Sequence, residues 1–265
     1  MQIRFEKYQA AGNDFIIIDN RKSVFPKDTS HIEKLCDRKF GIGSDGLILI
    51  ENSDKEEFEM IFYNPDGSQS LCGNGCRAAI RFAESLKITF EKTSFNAFDG
   101  SHQAIIKGKT INLQMANVQN GRQIEGARLP DGQGIFLDTG SPHVVLFVDN
   151  VQQVDVVTEG RKWRNSGLFG SSGANINFVE ILDNAHLFVR TYERGVENET
   201  LSCGTGVTAA ALAAFTKGCS SLLNIKTKGG QLAVSFEPTK DGYKNVWLEG
   251  PAEHVFSGKI HLSDH

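Results

Sequence analysis

The sequence predicts an α+β protein of two pseudo-symmetric domains. Each is a curved, mostly antiparallel sheet wrapped around a central buried helix, with the ligand site in the cleft between them. Three observations lead there. A cysteine followed by Gly-x-Gly occurs twice, as Cys72-Gly73-Asn74-Gly75 and Cys203-Gly204-Thr205-Gly206. Each opens a run of small and apolar residues, Ala78 to Ala83 in the first case and Thr208 to Ala214 in the second, suited to a helix buried on all sides. The same order of turn, strand, broken segment, two strands and turn precedes both, over nearly equal intervals from Gly12 to Cys72 and Gly140 to Cys203. Identity between the halves is slight outside the two turns, so the repeat rests on element order. The boundaries expected are residues 1–116 and 117–251.

Taken in order, Ile3 to Tyr8 and Phe15 to Asp19 read as strands joined by a turn at Gly12-Asn13. Asp28 or Ser30 caps a helix running through Ile32, Leu35 and Cys36 to about Phe40, where Gly41-Ile42-Gly43 breaks it. Leu47 to Ile50 and Phe58 to Tyr63 are strands, the second ending at Asn64-Pro65-Asp66-Gly67, a strong turn signal. The first cysteine helix ends near Leu86, and Thr89 to Met115 is β-rich with a hairpin at Lys107-Gly108-Lys109. In the second half, Gly134 to Asp138 and Val144 to Val148 are strands around Thr139-Gly140-Ser141-Pro142-His143, and Asp155 to Trp163 is helical. Ile176 to Ile181 and Leu187 to Tyr192 are strands leading to Glu193-Arg194-Gly195 and the second cysteine helix, and Leu223 to Glu249 is β-rich.

Composition narrows the function classes. A net charge of −4 offers neither the basic patch of a nucleic-acid binder nor a disordered acidic tail. No apolar run approaches the roughly 18 residues that span a membrane, and the first residues lack signal-peptide character. Five cysteines, an odd number, point to reduced thiols in a cytoplasm rather than a disulfide framework. Cys72 and Cys76 are four apart, which is not the spacing of a zinc knuckle or a thioredoxin-type site, so no metal is expected. There is no Walker sequence and no G-x-G-x-x-G after a strand.

The chemistry therefore centres on Cys72 and Cys203. A lone cysteine is most often a small buried hydrophobe, the reading kept for Cys36, Cys76 and Cys219. Two cysteines at helix starts and at matching points of a repeat are different. A helix N-terminus offers unpaired N–H groups and partial positive charge, which stabilise a thiolate and hold a carboxylate. Two such sites facing each other suit removal of a proton from one face of a carbon and delivery to the other. Asn13, Asn64 and Asn175 each lie beside a turn at a strand end. Singly they are turn formers; together they suit a zwitterionic amino acid. Arg194 is placed to hold a carboxylate and Glu193 an ammonium, against the ordinary reading of a surface pair. His143 is either a turn residue or a group that sets thiolate charge.

Asn64-Pro65-Asp66-Gly67-Ser68 leading to Cys72-Gly73-Asn74-Gly75-Cys76-Arg77, with Glu193-Arg194-Gly195 leading to Cys203-Gly204-Thr205-Gly206, resembles the diaminopimelate epimerase family. Lys7-Tyr8 through Gly12-Asn13-Asp14-Phe15 matches the family's opening motif, and Gly173 to Phe178 its asparagine-bearing strand. The resemblance covers essentially the whole chain. It implies cofactor-independent, two-base epimerisation of LL-2,6-diaminopimelate to the meso form, for lysine and cell-wall precursors. Cys72 and Cys203 would be the base and acid. Asn13, Asn64, Gly73, Asn74, Asn175, Glu193, Arg194, Gly204 and Thr205 would bind substrate, with His143 in support. It also implies a homodimer, and a tail at 252–265 that returns to the first domain. Proline-type racemases, the alternative enzyme reading, usually carry His where Asn74 stands; a non-catalytic binding protein of the same fold is the other alternative. The chain departs from the family at Gly46, where many members have Gln, at Ser141, where many have Asn, and in a Glu193–Cys203 loop one residue longer.

Overall fold

The structure, a computed structural model, describes residues 2–125, 133–170 and 172–262. The chain divides into two compact units, Met1–Leu113 with Gly250–His265, and Gln114–Glu249. The first contains β1 (Gln2–Ala10), β2 (Asn13–Asp19), α1 (Thr29–Cys36), β3 (Gly46–Glu51), β4 (Phe58–Tyr63), α2 (Gly73–Ser85), β5 (Lys92–Ala97), β6 (Gly100–Lys107) and β7 (Thr110–Gln114). Neighbours along this series pair antiparallel except β2 with β3 and β4 with β5, which are parallel. The parallel pairs are those joined through α1 and α2, because a parallel join needs a long crossover.

The second unit contains β8 (Val118–Gln119), β9 (Arg122–Glu125), β10 (Gln133–Asp138), β11 (Pro142–Phe147), α3 (Val156–Arg164), β12 (Asn175–Asp183), β13 (His186–Glu193), β14 (Asn198–Thr200), α4 (Gly204–Phe215), β15 (Leu222–Thr227), β16 (Gly230–Thr239) and β17 (Gly242–Pro251). From β10 onward the pairing repeats the first unit: β11 with β12 and β13 with β15 are parallel, across α3 and α4, and the remaining joins are antiparallel. The outer strand differs in origin. In the second unit β9 flanks β10; in the first, the strand flanking β1 is Glu253–His261 from the far end of the chain. Residues 263–265 of that tail lie outside the described residues.

Burial explains why these segments are strands. β2 and β3 are nearly continuous apolar runs, Phe15 to Ile18 and Leu47 to Ile50, buried on both faces as parallel strands under helices are. Ile16, Ile18, Leu47 and Leu49 pack with Ile32, Leu35 and Cys36 of α1, leaving the alternate residues for α2. Val144, Leu146, Ile176 and Phe178 make the matching layer with Val156 and Trp163 of α3. Outer strands such as β15 alternate exposed and buried residues because one face meets water. α2 packs against β1, β2, β3, β4 and the C-terminal strand, and α4 against β10, β11, β12, β13 and β16. Each is the central helix of its own unit.

α1 stops at Cys36 rather than at Phe40. The N–H groups of Ile42 and Gly43 fold back onto Leu35 O, the Asp37 carboxylate takes the N–H groups of Lys39 and Phe40, and Phe40 is 84% exposed. Nothing apolar holds a third turn inward. Among the described residues no helix is long and apolar enough to cross a membrane.

Candidate active site

Each candidate acid/base cysteine is the N-cap of its unit's central helix. Cys72 adopts φ −129°, ψ 110° and Cys203 φ −123°, ψ 114°, so the two halves present sulfur with nearly the same backbone. Both cysteine carbonyls accept the first helical hydrogen bond, from Cys76 at 2.8 Å and Val207 at 2.9 Å. The glycines after each cysteine keep the first turn open. A Cβ on Gly75 would lie 3.3 Å from Cys72 Cβ, and one on Gly206 would lie 2.5 Å from Asn177 Oδ1.

In the first unit, a two-residue turn with positive φ at Ala11 (53°) and Gly12 (84°) starts β2 at Asn13. Cys72 Sγ donates to Asn13 Oδ1 at 3.6 Å and accepts from the Gly75 N–H at 3.4 Å. Asn74 Nδ2 donates to the same Asn13 oxygen at 3.3 Å, while Asn13 Nδ2 donates to Asp45 at 2.6 Å. Behind them lies a charged cluster in which Asp14 bridges Lys7 and Arg38, and Arg38 also holds Asp45. Burial alone would raise the Asp14 carboxyl, but hydrogen bonds from Arg38 and Lys7 outweigh it and hold the group at about 2. Arg77, fully buried on α2, donates to Asn74 Oδ1 at 2.7 Å and to the carbonyls of Gly73 and Pro251 at 3.5 Å. Burial pushes it down to about 10, against the raising pull of the Cys72 and Cys76 sulfurs, so it remains a cation at neutral pH.

In the second unit the surroundings are hydroxyls, amides and an imidazole. Cys203 Sγ lies 3.5 Å from Thr205 Oγ1, which is 2.9 Å from His143 Nε2 and 3.2 Å from Ser141 Oγ. Asn175 Nδ2 donates to Ser141 Oγ and to Pro142 O, and its oxygen accepts the Arg194 N–H at 2.8 Å. Burial, then the nearby Arg194 charge, holds His143 down at about 3, so it is neutral at physiological pH.

The structure thus brings Asn13, Cys72, Gly73 and Asn74 together in one unit, and His143, Asn175, Arg194, Cys203, Gly204 and Thr205 in the other. Glu193 ends β13 beside Arg194. Asn64 is engaged in its own turn, donating to Ser68 O at 3.2 Å and to the Ser70 hydroxyl at 3.1 Å, the latter two residues before Cys72. At Gly46 a Cβ would lie 2.4 Å from the Phe62 ring, which fills the space that a side chain would need. Ser141 bonds His143 and Thr205 directly, and the longer loop forms a hairpin in which β14 pairs with β13.

Two participants were not singled out in the sequence. Asn177 donates to His143 Nδ1 at 3.1 Å; its position two residues beyond Asn175, on the same strand face, was the available signal. Arg77 reads as a surface cation in a sequence, and nothing there announces its burial. A separate cavity of about 310 Å³ in the second unit is lined by Gln152, Phe188, Arg190, Lys226 and Lys228. Arg190 and Lys228 are committed to Glu199 and Lys226 sits over the Phe188 ring, so it is a satisfied surface feature.

Among solved structures, the fold is that of a Bacillus anthracis phenazine biosynthesis protein of the PhzF family, at TM-score 0.78 and 14% identity over 99% of this chain and 100% of the other. It is also that of a probable proline racemase from Agrobacterium radiobacter, at TM-score 0.71 and 12% identity over 98% and 93%. These likenesses define a two-unit α+β fold. Sequence is more specific. A diaminopimelate epimerase family model matches residues 5–121 and 135–255. The diaminopimelate epimerase of Flavobacterium psychrophilum is 50% identical over 97% of this chain and 100% of its own length, and that of Chlorobaculum tepidum 42% over 95% and 99%. The chain belongs to the diaminopimelate epimerase family.

Proposed function

We propose that the protein interconverts LL- and meso-2,6-diaminopimelate, with Cys72 and Cys203 as the base and acid at one α-carbon. The observation that supports this most is the pair of N-cap cysteines with matching backbone angles at matching places in a duplicated fold. An α-proton is far less acidic than a thiol, so a thiolate needs help. The N–H groups at the starts of α2 and α4 would carry negative charge developing on the substrate carboxylate; one such donor is worth about 10²–10³ in rate. Fixed geometry supplies a further part. This is a reading in which no pyridoxal phosphate acts as electron sink. Asn74, Thr205 and the helix-opening Gly73 and Gly204 bind the reacting end, while Asn13, Asn64, Asn175, Glu193 and Arg194 recognise the remaining amino and carboxyl groups. His143, held neutral, orients Thr205. The product would feed lysine and cell-wall precursor synthesis, with the enzyme working as a cytoplasmic homodimer.

Proton NMR of LL-diaminopimelate with reduced protein in deuterated water, without added cofactor, tests the reading. Loss of the α-proton signal with appearance of the meso isomer is expected. No exchange under these conditions overturns it.

A further inference from the structure

Arg77 is a cation where two effects oppose one. It lies near the start of α2 and is fully buried. Side chains on a helix lean toward its N-terminus, and Arg77 does so, Nη1 reaching Gly73 O and Nη2 reaching Asn74 Oδ1. That end of a helix carries partial positive charge and favours acidic side chains over basic ones, yet the first turn of α2 holds no acid. A buried charge also calls for an opposite charge beside it. The acceptors of Arg77 are neutral oxygens, of Gly73, Asn74 and Pro251, and no ion pair includes it among the described residues.

The fold does not require a cation at this place. In α4 the corresponding residue, at the same distance beyond its cysteine, is Thr208, which is also fully buried. Thr208 Oγ1 donates to Gly204 O at 2.9 Å, the counterpart of the bond from Arg77 Nη1 to Gly73 O at 3.5 Å. A small neutral hydroxyl therefore serves the same point of the repeat. Beyond that, Arg77 adds a positive charge and a longer reach.

The reach fixes Asn74. A guanidinium only donates, so it turns Asn74 Oδ1 toward itself at 2.7 Å and leaves Asn74 Nδ2 to meet Asn13 Oδ1 at 3.3 Å. Thr205, the counterpart of Asn74, is placed instead by His143 and Ser141. The charge has no such use inside the protein. Together with the backbone N–H groups that open α2, it makes this turn favourable for an anion. A local rule broken with no return to the fold marks a functional position.

We propose that Arg77 is a positioning residue of the first unit's carboxylate-binding turn, aiming the Asn74 amide and holding a positive charge that the carboxylate of the bound amino acid compensates. The inference rests on the epimerase reading above and adds a residue to it. Arg77 stays behind the turn and acts through Asn74 and through its charge.

The test uses Arg77→Met and Arg77→Lys, two unbranched side chains of which only the second can carry charge. Calorimetric titration of the intact, reduced enzyme with a pre-equilibrated mixture of LL- and meso-diaminopimelate gives the affinity, and thermal unfolding without ligand gives the stability. Arg77→Met should weaken binding by about 10- to 100-fold, with a melting temperature within a few degrees of the unaltered enzyme. Arg77→Lys, a point charge without the guanidinium fork, should lose less affinity. Three results overturn the proposal. One is affinity within about threefold of normal in Arg77→Met, including the case in which kcat alone falls, which would assign the charge to the Cys72 sulfur. Another is equal loss of affinity in both variants in step with a loss of melting temperature, the mark of a structural role. The last is failure of Arg77→Met to fold, because the fold would then require the cation. Failure of the epimerase reading shows differently, as absence of diaminopimelate binding and turnover in the unaltered enzyme, and the proposal falls with it.

Discussion

α2 and α4 begin alike and are surrounded differently. Their N-cap cysteines differ by only a few degrees in φ and ψ, and each helix lies within a sheet series with the same alternation of parallel and antiparallel joins. Around Cys72 stand amides backed by ions, Asn13 and Asn74 before Asp45 and Arg77. Around Cys203 stand a neutral imidazole and hydroxyls. Even the helices differ: α4 is apolar almost all round, whereas α2 carries the buried Arg77 and a half-exposed Arg81–Glu84 pair. Repeated backbone places the sulfur, and the side chains in contact with it decide what it does.

The strongest way to break the comparison is to remove the sulfurs. Cys72→Ala and Cys203→Ala should each lower kcat/KM for epimerisation by about 10³-fold or more. If the halves act as one unit, the double variant should lose little beyond the worse single variant. Near-normal turnover in either single variant, measured by chiral chromatography of diaminopimelate, would mean that the halves are not partners.

Next in size is the pair of glycines. Gly206→Ala pushes a methyl to 2.5 Å from Asn177 Oδ1, the amide that fixes the His143 tautomer. Gly75→Ala meets Met60 Cε and Cys72 Cβ, both at 3.3 Å, and the Met60 end can move. The first substitution should therefore cost about 1–3 kcal/mol of stability and most of the activity, the second less than about 1 kcal/mol. Chemical denaturation of both variants checks the order; equal losses would show that Asn177 is not rigidly held.

Much of this was legible in the sequence, for reasons that can be named. Long apolar runs such as Phe15 to Ile18, turn residues such as Asn64-Pro65-Asp66-Gly67, and the doubled Cys-Gly-x-Gly are local signals, and they located the strands and both central helices. What was not legible is decided by partners distant in sequence. Arg77 is buried because neutral oxygens of Gly73, Asn74 and Pro251 surround it, and Pro251 lies at the other end of the chain. Phe40 is left outside because the backbone folds back onto Leu35, which no periodicity announces. The pairing of β14 with β13 arises inside a loop too polar to read as strand.

Acid separates the units more gently. His143 has its folded value lowered from 6.5 to about 3, by burial first, so the unfolded chain binds the proton more readily. The second unit should lose stability as pH falls through 6.5 toward about 3, with no penalty above 6.5. In the first unit Asp14 is lowered from 3.8 to about 2, so its contribution is present above 3.8 and is lost only as pH falls toward about 2. Protection from hydrogen exchange, taken relative to the intrinsic exchange rate at each pH, should therefore fall around β11 and β12 before β1 and β2 between pH 7 and pH 4, and His143→Gln should remove the difference. Loss in the opposite order would place the acid-sensitive group elsewhere.

The smallest effects belong to the crossover helices that carry no sulfur. α1 and α3 occupy the same place in the repeat, and each is capped by an aspartate: Asp28 accepts from the His31 N–H at 3.0 Å and Asp155 from the Thr158 N–H at 3.1 Å. Asp28 does more than Asp155, because its carboxylate also takes the Ser30 hydroxyl at 2.7 Å and meets the His31 ring at 2.5 Å. An N-cap side chain satisfies a backbone N–H that the helix leaves open, and its removal weakens the first turn. Asp28→Ala and Asp155→Ala should each lower the melting temperature by no more than a few degrees, Asp28→Ala by more, and neither should change kcat for epimerisation. These helices pack on the outer layers of Ile16, Ile18, Leu47 and Leu49 or of Val144, Leu146, Ile176 and Phe178, away from the cysteine helices, so a loosened cap has no direct route to a sulfur. A fall in kcat without a fall in melting temperature, in either variant, would show that the crossover helices help to hold the thiols after all.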